Sequence, residues 1–511
     1  MFTDDDDAGS TTSDEADAGH EAVWMNIMGP DTAPPDIPFT ATPGPKVRLG
    51  TDAAPLQYFQ LFLDPPIVNH IVDETNAYST QWINSHQEYL GNHPRSRVHD
   101  WIKKGDTSAV EMNAFLACII NMGLIKKPSI PSYWDEVHAS QSTPWFVEHF
   151  NRDRFQLLLK FLHFANNENT PAADHVDYKL FKVKKIVEHF QSKFKKMYVP
   201  HQDVAIDESM VGYRGKTPHL RQYMPNKHHA RFGIKLWCVC DSTSKYTSYF
   251  EVYKGQHEGD VGGDHGVTYS LVMRLMKESD LLSQGYHLSL DNYFTSPQLF
   301  LDLFADNTSA TGTVRRNRKG LPKLLLKEKL ANRESKARRK GPLLCIVYKD
   351  NSKVPVLLST KDIHTQQHVR NARGRDIVRP AVINRYNKCM GGVDCSDAML
   401  YAYLAERRTM KWTHKLVFAL IGRAALNAYI LYAAHTSAQP KLDRHHFLIE
   451  VVEGLMSTWK PGKTCRKRRS KTEIAAARAT PQPQNLNPPE HHLAPEVTNC
   501  KLEKIGEGRR R

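Results

Sequence analysis

The sequence predicts an α/β protein, a mixed β-sheet covered by helices on its faces, with a mainly helical part ahead of it. Three observations predict this. Apolar residues recur at three- and four-residue spacings as far as Met197, the spacing falls to two after Pro200, and short strands then alternate with helices. With 40% hydrophobic and 9% aromatic residues in 511, the chain can bury more than one core, which excludes a wholly disordered protein.

Residues 1–54 hold eleven carboxylates against Lys46 and Arg48, a net charge of −9, among Gly, Ser, Thr and Pro with no apolar period. Such a composition cannot offset its ordering entropy and predicts a disordered acidic tail. Helical spacing then marks Tyr58 to Leu63, Ile67 to Ser85, Ala109 to Met122, Phe146 to Phe164 and Phe181 to Met197, with Pro128 and Pro131 in a connection. Alternation predicts strands over Val204 to Met210, Gly233 to Asp241 and Tyr246 to Tyr253, then a helix over Val267 to Leu282. A strand over Tyr286 to Asp291, a helix over Ser296 to Ala305 and a strand over Ala310 to Val314 complete the alternation. Strand-like pieces at Leu343 to Tyr348 and Val354 to Ser359 read as an insertion beside the core, and helices return at Val393 to Tyr403 and Trp412 to Tyr432. The end of the chain is Pro-rich and basic, with Lys463, Arg466, Lys467, Arg468, Arg469 and Lys471 in nine positions, a pattern that fits a nuclear localisation signal or a phosphate-binding tail.

The overall charge of +14, from 69 Lys and Arg against 55 Asp and Glu, hides that first acidic segment, so residues 55–511 carry +23. A body this basic points to a polyanionic partner, and nucleic acid leads. Eight cysteines with no paired framework read as reduced thiols, and Asp4 to Asp7 stand where a secretory signal would need positive charge, so no export is expected. No membrane span is expected either, because the most apolar run, Leu416 to Ala434, carries Arg423 in its middle.

Candidate chemistry rests on four carboxylates. Asp207 and Asp291 lie at the ends of predicted strands, where open α/β sheets bind ligands. Asp394 and Asp397, three apart after Gly391 and Gly392, share one face at a helix start and can converge on one point. Taken singly, each acid reads equally well as a turn former or a helix cap. Jointly, they can bind two divalent ions, and hard oxygen donors suit Mg2+ or Mn2+ in an in-line phosphoryl transfer. Cys238 and Cys240 share a strand face and are expected in the core, and Trp412 is expected to pack rather than stack on a base.

Several segments together resemble the piggyBac-type transposases and their domesticated derivatives. They are Asp207-Glu-Ser-Met with Gly212-Tyr-Arg-Gly-Lys, Tyr223-Met-Pro-Asn-Lys with Gly233-Ile-Lys-Leu-Trp, and Asp291-Asn-Tyr-Phe-Thr-Ser. Gly312-Thr-Val-Arg-Arg-Asn-Arg-Lys-Gly-Leu-Pro, Tyr386-Asn-Lys-Cys-Met-Gly-Gly-Val-Asp-Cys-Ser-Asp and Arg407-Arg-Thr-Met-Lys-Trp follow, and Met122-Gly-Leu-Ile-Lys-Lys-Pro-Ser-Ile with Tyr133-Trp lies upstream. The resemblance implies an RNase H-like catalytic core in two parts, 204–316 and 380–411, interrupted by an insertion domain at 317–379. It implies a helical dimerisation and DNA-binding domain from 55–203 and 412–459, flanked by tails at 1–54 and 460–511. It also implies catalytic Asp207, Asp291 and Asp394 with a further essential Asp397, the first three holding the metals. Double-stranded DNA as substrate, a homodimer and a nuclear location follow, with no membrane or small-molecule partner.

Two departures stand out. His228, His229 and Ala230 follow Lys227 where the family has a proline and a more basic texture, and the cysteine-rich zinc module common at the family's C-terminus is reduced to Cys465 and Cys500 near His491 and His492. Both a catalytic transposase and a domesticated DNA-binding protein therefore remain as readings, with a scaffold acting through its charged tails as a third.

Overall fold

The computed structural model describes residues 23–460 apart from 218–219, 226, 228–229, 256–264, 352, 371–373, 375 and 407–408. The basic run near 463–471, the histidine pair at 228–229, Arg407 and Arg408, and the two C-terminal cysteines lie outside the described residues.

Two short strands, β1 (Met25–Asn26) and β2 (Gly44–Pro45), precede helices α1 (Pro55–Gln60), α2 (Pro65–Ser85), α3 (Gln87–Asn92), α4 (Val98–Lys104) and α5 (Ala109–Leu124). Side-chain caps fix two of these starts: Asp64 accepts from Ile67 N ahead of α2, and Ser108 from Glu111 N ahead of α5. The single helix predicted over Phe146 to Phe164 is two, α6 (Pro144–His149) and α7 (Arg152–Phe161). Asn151 breaks it, because its side chain accepts from the Asp153 and Arg154 amides and so caps a new helix. Helix α8 (Lys184–Met197) ends this part.

The sheet follows: β3 (Tyr198–Val199), β4 (Asp203–Gly212), β5 (Arg221–Tyr223), β6 (Phe232–Asp241), β7 (Thr247–Val252), helix α9 (Val267–Glu278), β8 (His287–Leu290), helix α10 (Pro297–Ala305) and β9 (Ser309–Thr313). Helix α11 (Lys323–Lys327) leads to β10 (Ser335–Lys340), β11 (Leu343–Tyr348) and β12 (Val356–Ser359), and β13 (Gln366–Arg370) with β14 (Asp376–Pro380) forms a separate ribbon. Helices α12 (Ala381–Cys389), α13 (Gly392–Ala402), α14 (Trp412–His435) and α15 (Arg444–Met456) complete the described chain.

The main sheet runs β1-β10-β11-β12-β9-β8-β4-β6-β5, with β7 also paired to β6. Strands β4, β8 and β9 are parallel neighbours, and the other pairs in this sheet are antiparallel. The parallel pair β8 and β9 is joined through α10, as a parallel connection requires.

The period of two divides the core. In β6, Leu236, Cys238 and Cys240 face one hydrophobic cluster, and Trp237 and Val239 face another. The first cluster joins α1, α2, α5, α7, α8, α13, α14 and α15 to the sheet, and the second packs α9 and α10 on the opposite face. Cys238 and Cys240 are thus core residues, and Trp412 packs at the edge of the helical cluster, both as expected. The helical layer shares its cluster with the sheet, so the described residues 23–460 pack as one compact unit.

Two regions differ from expectation. Within the expected insertion 317–379, residues 335–359 join the core sheet: β12 pairs with β9, Leu358 opposite Gly312, and β11 and β10 extend the same sheet. The outer edge of β9 offers free hydrogen-bonding groups, and Leu343, Cys345, Val347, Val356 and Leu358 prolong its apolar face. Residues 23–54, given to a disordered tail by composition, lie along the structure. Met25 and Asn26 pair with Arg339 and Arg338, Gly44 and Pro45 with Val199 and Tyr198, and the Asp31 carboxylate takes Arg339 through two hydrogen bonds of 2.8 and 2.6 Å. A local composition average cannot register partners some three hundred residues away.

Among the described residues one helix, α14, is long and apolar enough to cross a membrane, but most of it is buried inside the protein. Its Arg423 is 1% exposed and engages the site described next.

Candidate active site

Asp207 sits midway along β4, not at the strand end expected from the sequence, just past the Asp203–Ala205 stretch that pairs with β8, and Asp291 follows β8 directly. Ala205 pairs with Ser289 on these parallel strands, so two more residues along each bring Asp207 and Asp291 level. Adjacent strands run about 4.8 Å apart, and both side chains fall on the face opposite the Leu288 and Leu290 cluster. The chain can turn tightly after β8 because of Gly312. A Cβ there would meet Leu290 O at 2.7 Å and Thr295 Oγ1 at 2.4 Å, so any larger residue would push away the loop that carries Asp291. Within that loop Tyr293 N donates to Asp291 Oδ1 at 2.9 Å and Thr295 Oγ1 donates to the Asp291 carbonyl at 2.7 Å.

Helix α13 crosses the same face and brings Asp394 in its first turn, where a helix N-terminus favours a carboxylate. Gly392 lets it approach: a Cβ there would lie 3.3 Å from the Ala205 Cβ and 3.4 Å from Ser242. Asp394 is not drawn onto Asp207. Its Oδ1 accepts from Lys227 Nζ at 2.8 Å, and Lys227 reaches in from the turn between β5 and β6.

The electrostatics of the cluster are dominated by burial. Burial and then the neighbouring Glu208 carboxylate push Asp207 well above the usual carboxylate range. Burial raises Asp291 too, against the pull of the Tyr293 amide. Burial would lower Lys227, but the attraction of Asp207, Asp394 and Glu208 raises it instead. Lys235, which burial holds below the usual lysine range, lies 3.6 Å from the centre of the Trp237 ring and is within the field of Glu208, Asp207 and Asp291. Trp237 in turn stacks on Tyr293, with ring centres 5.9 Å apart and planes at 16°.

Asp397 departs from the expected convergence with Asp394. One helical turn further along α13, it is 3% exposed, and its Oδ1 accepts from Arg423 Nη2 at 2.8 Å and from Ser209 Oγ at 2.8 Å. Arg423 also donates to Ser209 Oγ at 2.9 Å and to Thr247 Oγ1 at 2.9 Å. Asp394 meets the β5–β6 turn while Asp397 is taken by α14, so the two acids separate although they share a helix. Asp397 therefore fastens α13 to β4, β7 and α14.

Among the described residues no three or more His, Cys, Asp or Glu groups stand close enough to hold a metal ion. The predicted three-acid metal site is corrected to a half-assembled one: Asp207 and Asp291 in register, Asp394 held on Lys227. The donors still suit Mg2+ or Mn2+, since all are hard carboxylate oxygens. Sequence reasoning quoted Lys227, Glu208 and Ser209 within motifs without assigning them roles, and it used Arg423 only against a membrane span. A buried arginine in an apolar helix was the available signal, since such a charge requires a partner.

The site thus draws its acids from two adjacent parallel strands and from the helix that crosses their face. A family model described as "Transposase IS4", of the DDE type, matches residues 54–429. Human PiggyBac transposable element-derived protein 3 is 27% identical over 421 residues, covering 80% of this chain and 64% of the relative. Human PiggyBac transposable element-derived protein 2 is 27% identical over 401 residues, covering 75% and 62%. The chain thus spans somewhat under two thirds of the length of these relatives. A solved structure described as the piggyBac transposase synaptic complex with hairpin DNA aligns with a TM-score of 0.70 and 25% identity, over 86% of this chain and 87% of that one. The chain belongs to the piggyBac-type transposase family, and its core has the RNase H-like fold.

Proposed function

We propose that this protein binds double-stranded DNA and catalyses metal-dependent cleavage and transfer of its strands in the nucleus, acting as a homodimer. The observation that carries the reading is the level placement of Asp207 and Asp291 on parallel strands, with Asp394 presented to the same end of the sheet by α13. The +23 charge of residues 55–511 supports the DNA partner, as does the solved relative, a transposase complex with DNA.

Asp207, Asp291 and Asp394 would hold Mg2+ or Mn2+. When bound, such ions would supply the Lewis-acid stabilisation that an in-line phosphoryl transfer needs. The chain itself sets the geometry. Gly312 and the Tyr293 amide fix the Asp291 loop, and Gly392 with the Asp397–Arg423 pair fixes α13, so Asp394 is presented from a rigid element. Asp397 thus acts as a positioning residue that touches no reacting atom.

The test is Mg2+-dependent nicking of DNA by the full chain beside Asp291→Ala. Nicking by wild type that disappears in the variant supports the reading, and nicking that survives the substitution rejects this site. A second reading, a DNA-binding protein without turnover, is favoured by the grip of Lys227 on Asp394. Salt-sensitive DNA binding with no cleavage under either metal would select it.

A further inference from the structure

Lys227 is an unusual neighbour for an acid that is to hold a cation. Its side chain is 11% exposed, its Nζ lies 2.8 Å from Asp394 Oδ1, and the Asp394 side chain is 66% exposed. The lysine is therefore the buried partner and the aspartate the open one. The turn that carries it is anchored. Tyr223 pairs with Phe232, Met224 N donates to Arg231 O at 2.8 Å, and within the turn Lys227 N donates to Met224 O at 3.3 Å and Ala230 N to Lys227 O at 3.1 Å. Asp207 and Glu208 attract the same ammonium, so it stands in the field of two elements, β4 and α13, at once.

Four carboxylates, Asp207, Glu208, Asp291 and Asp394, share this end of the sheet with two ammonium groups, Lys227 and Lys235. Lys235 is committed to the Trp237 ring. Lys227 is the cation in direct contact with a predicted metal ligand, and it occupies the one acid needed to bring the ligand count to three.

We infer that Lys227 is the resident counter-cation of the acid cluster and competes with the divalent ion for Asp394, so that ion binding and the Lys227–Asp394 contact exclude one another. The inference rests on the reading of Asp207, Asp291 and Asp394 as metal ligands. One ammonium discharges a single carboxylate, and a divalent ion among the three acids would set like charges against it at close range. The lysine keeps the site from standing as an open negative cluster, and its departure completes the ligand set. Freed on its turn, the ammonium faces the ground where a phosphodiester would lie.

The experiment measures Mn2+ uptake by the full chain without DNA, by calorimetry and by the paramagnetic resonance of free Mn2+. Lys227→Met, which keeps the length and apolar stem but removes the charge, should bind Mn2+ about fivefold more tightly, the worth of a partly exposed ion pair. Lys227→Arg should stay within about twofold of wild type, since the competing charge remains. Lys227→Gln repeats the measurement should the methionine variant fail to fold. Unchanged or weaker binding in both uncharged variants overturns the inference. Asp291→Asn in the wild-type and Lys227→Met backgrounds separates the two ideas. If Asp291→Asn removes Mn2+ uptake while Lys227→Met does not tighten it, competition is rejected and the metal site stands. If neither wild type nor Lys227→Met takes up Mn2+ at millimolar concentration, the metal-site reading falls and the competition with it.

Discussion

The helical layer and the acid-bearing end of the sheet handle buried charge in opposite ways. In the helical layer Glu111 and Arg154, with side chains 8% and 7% exposed, meet through two hydrogen bonds of 2.8 and 2.7 Å. Thr107 Oγ1 donates to the same carboxylate at 2.8 Å, and the guanidinium carbon lies 4.1 Å from the centre of the Trp101 ring. This buried pair is matched in place. Asp207 and Asp291 have no such ion-pair partner among the described residues, and burial first, then the Glu208 carboxylate, raises both. The contrast teaches that one region is built to hold the fold and the other to accept positive charge. The Asp397–Arg423 pair stands at the boundary, matched like the first and serving the second.

The largest effect expected from breaking this contrast is on chemistry. Asp291→Asn should lower Mg2+-dependent nicking at least about 10²-fold, the scale of removing one preorganised electrostatic group, while leaving the melting temperature equal or higher. Nicking rates and thermal unfolding read on the same samples check both halves.

Next comes stability. Arg423→Leu and Arg154→Leu should each cost about 3–5 kcal/mol, because each strands a buried carboxylate. Adding Asp397→Leu to Arg423→Leu should return most of that loss, and a double-mutant cycle by denaturant unfolding measures it. If Arg423→Leu proved harmless, the positioning role of Asp397 would go with it.

A smaller effect distinguishes the two kinds of acid. Asp207 is raised, so its ionised form disfavours the native state, and stability should fall as pH rises through its folded range. Asp207→Asn should therefore stabilise the protein by on the order of 1 kcal/mol at pH 8, and the gain should vanish at pH 4, where both side chains are neutral. Parallel melting curves at the two pH values provide the comparison.

The smallest effect concerns acid in the helical layer. Burial pushes His414 down to about 3 and His163 down to about 4; the His414 ring is hydrogen-bonded to Leu162 O at 3.1 Å, and His163 stacks on Tyr78 with ring centres 3.4 Å apart. Both are depressed below the unfolded value of about 6.5, so the stability they support is present above that pH and lost as pH falls below it. His414→Gln, which keeps a donor for Leu162 O, should lose less stability than wild type between pH 7 and pH 5 in melting-curve measurements.

Much of the fold was legible locally. The change of period at Pro200, the alternation that splits Leu236, Cys238 and Cys240 from Trp237 and Val239, and helices such as Ala109–Leu124 follow from side-chain spacing alone. Legibility failed where the deciding partner was distant. β12 joins β9, Asp31 finds Arg339, and Asn151 divides a helix whose apolar pattern runs on without a break. The candidate site followed the same rule: the strand faces of Asp207 and Asp291 could be placed from alternation, but the continuation of β4 past Asp207 to Gly212 and the fates of Asp394 and Asp397 could not.

The order of residues along the chain determined which acids exist, the strand faces they occupy and the basic charge that surrounds them, because these depend on identity and short-range periodicity. Tertiary structure alone decided that Asp397 is taken by Arg423 and that Asp394 is held by Lys227. Both contacts join segments far apart in sequence, and which carboxylate meets which cation depends on how α13 lies across β4 between α14 and the β5–β6 turn. Only packing sets that placement.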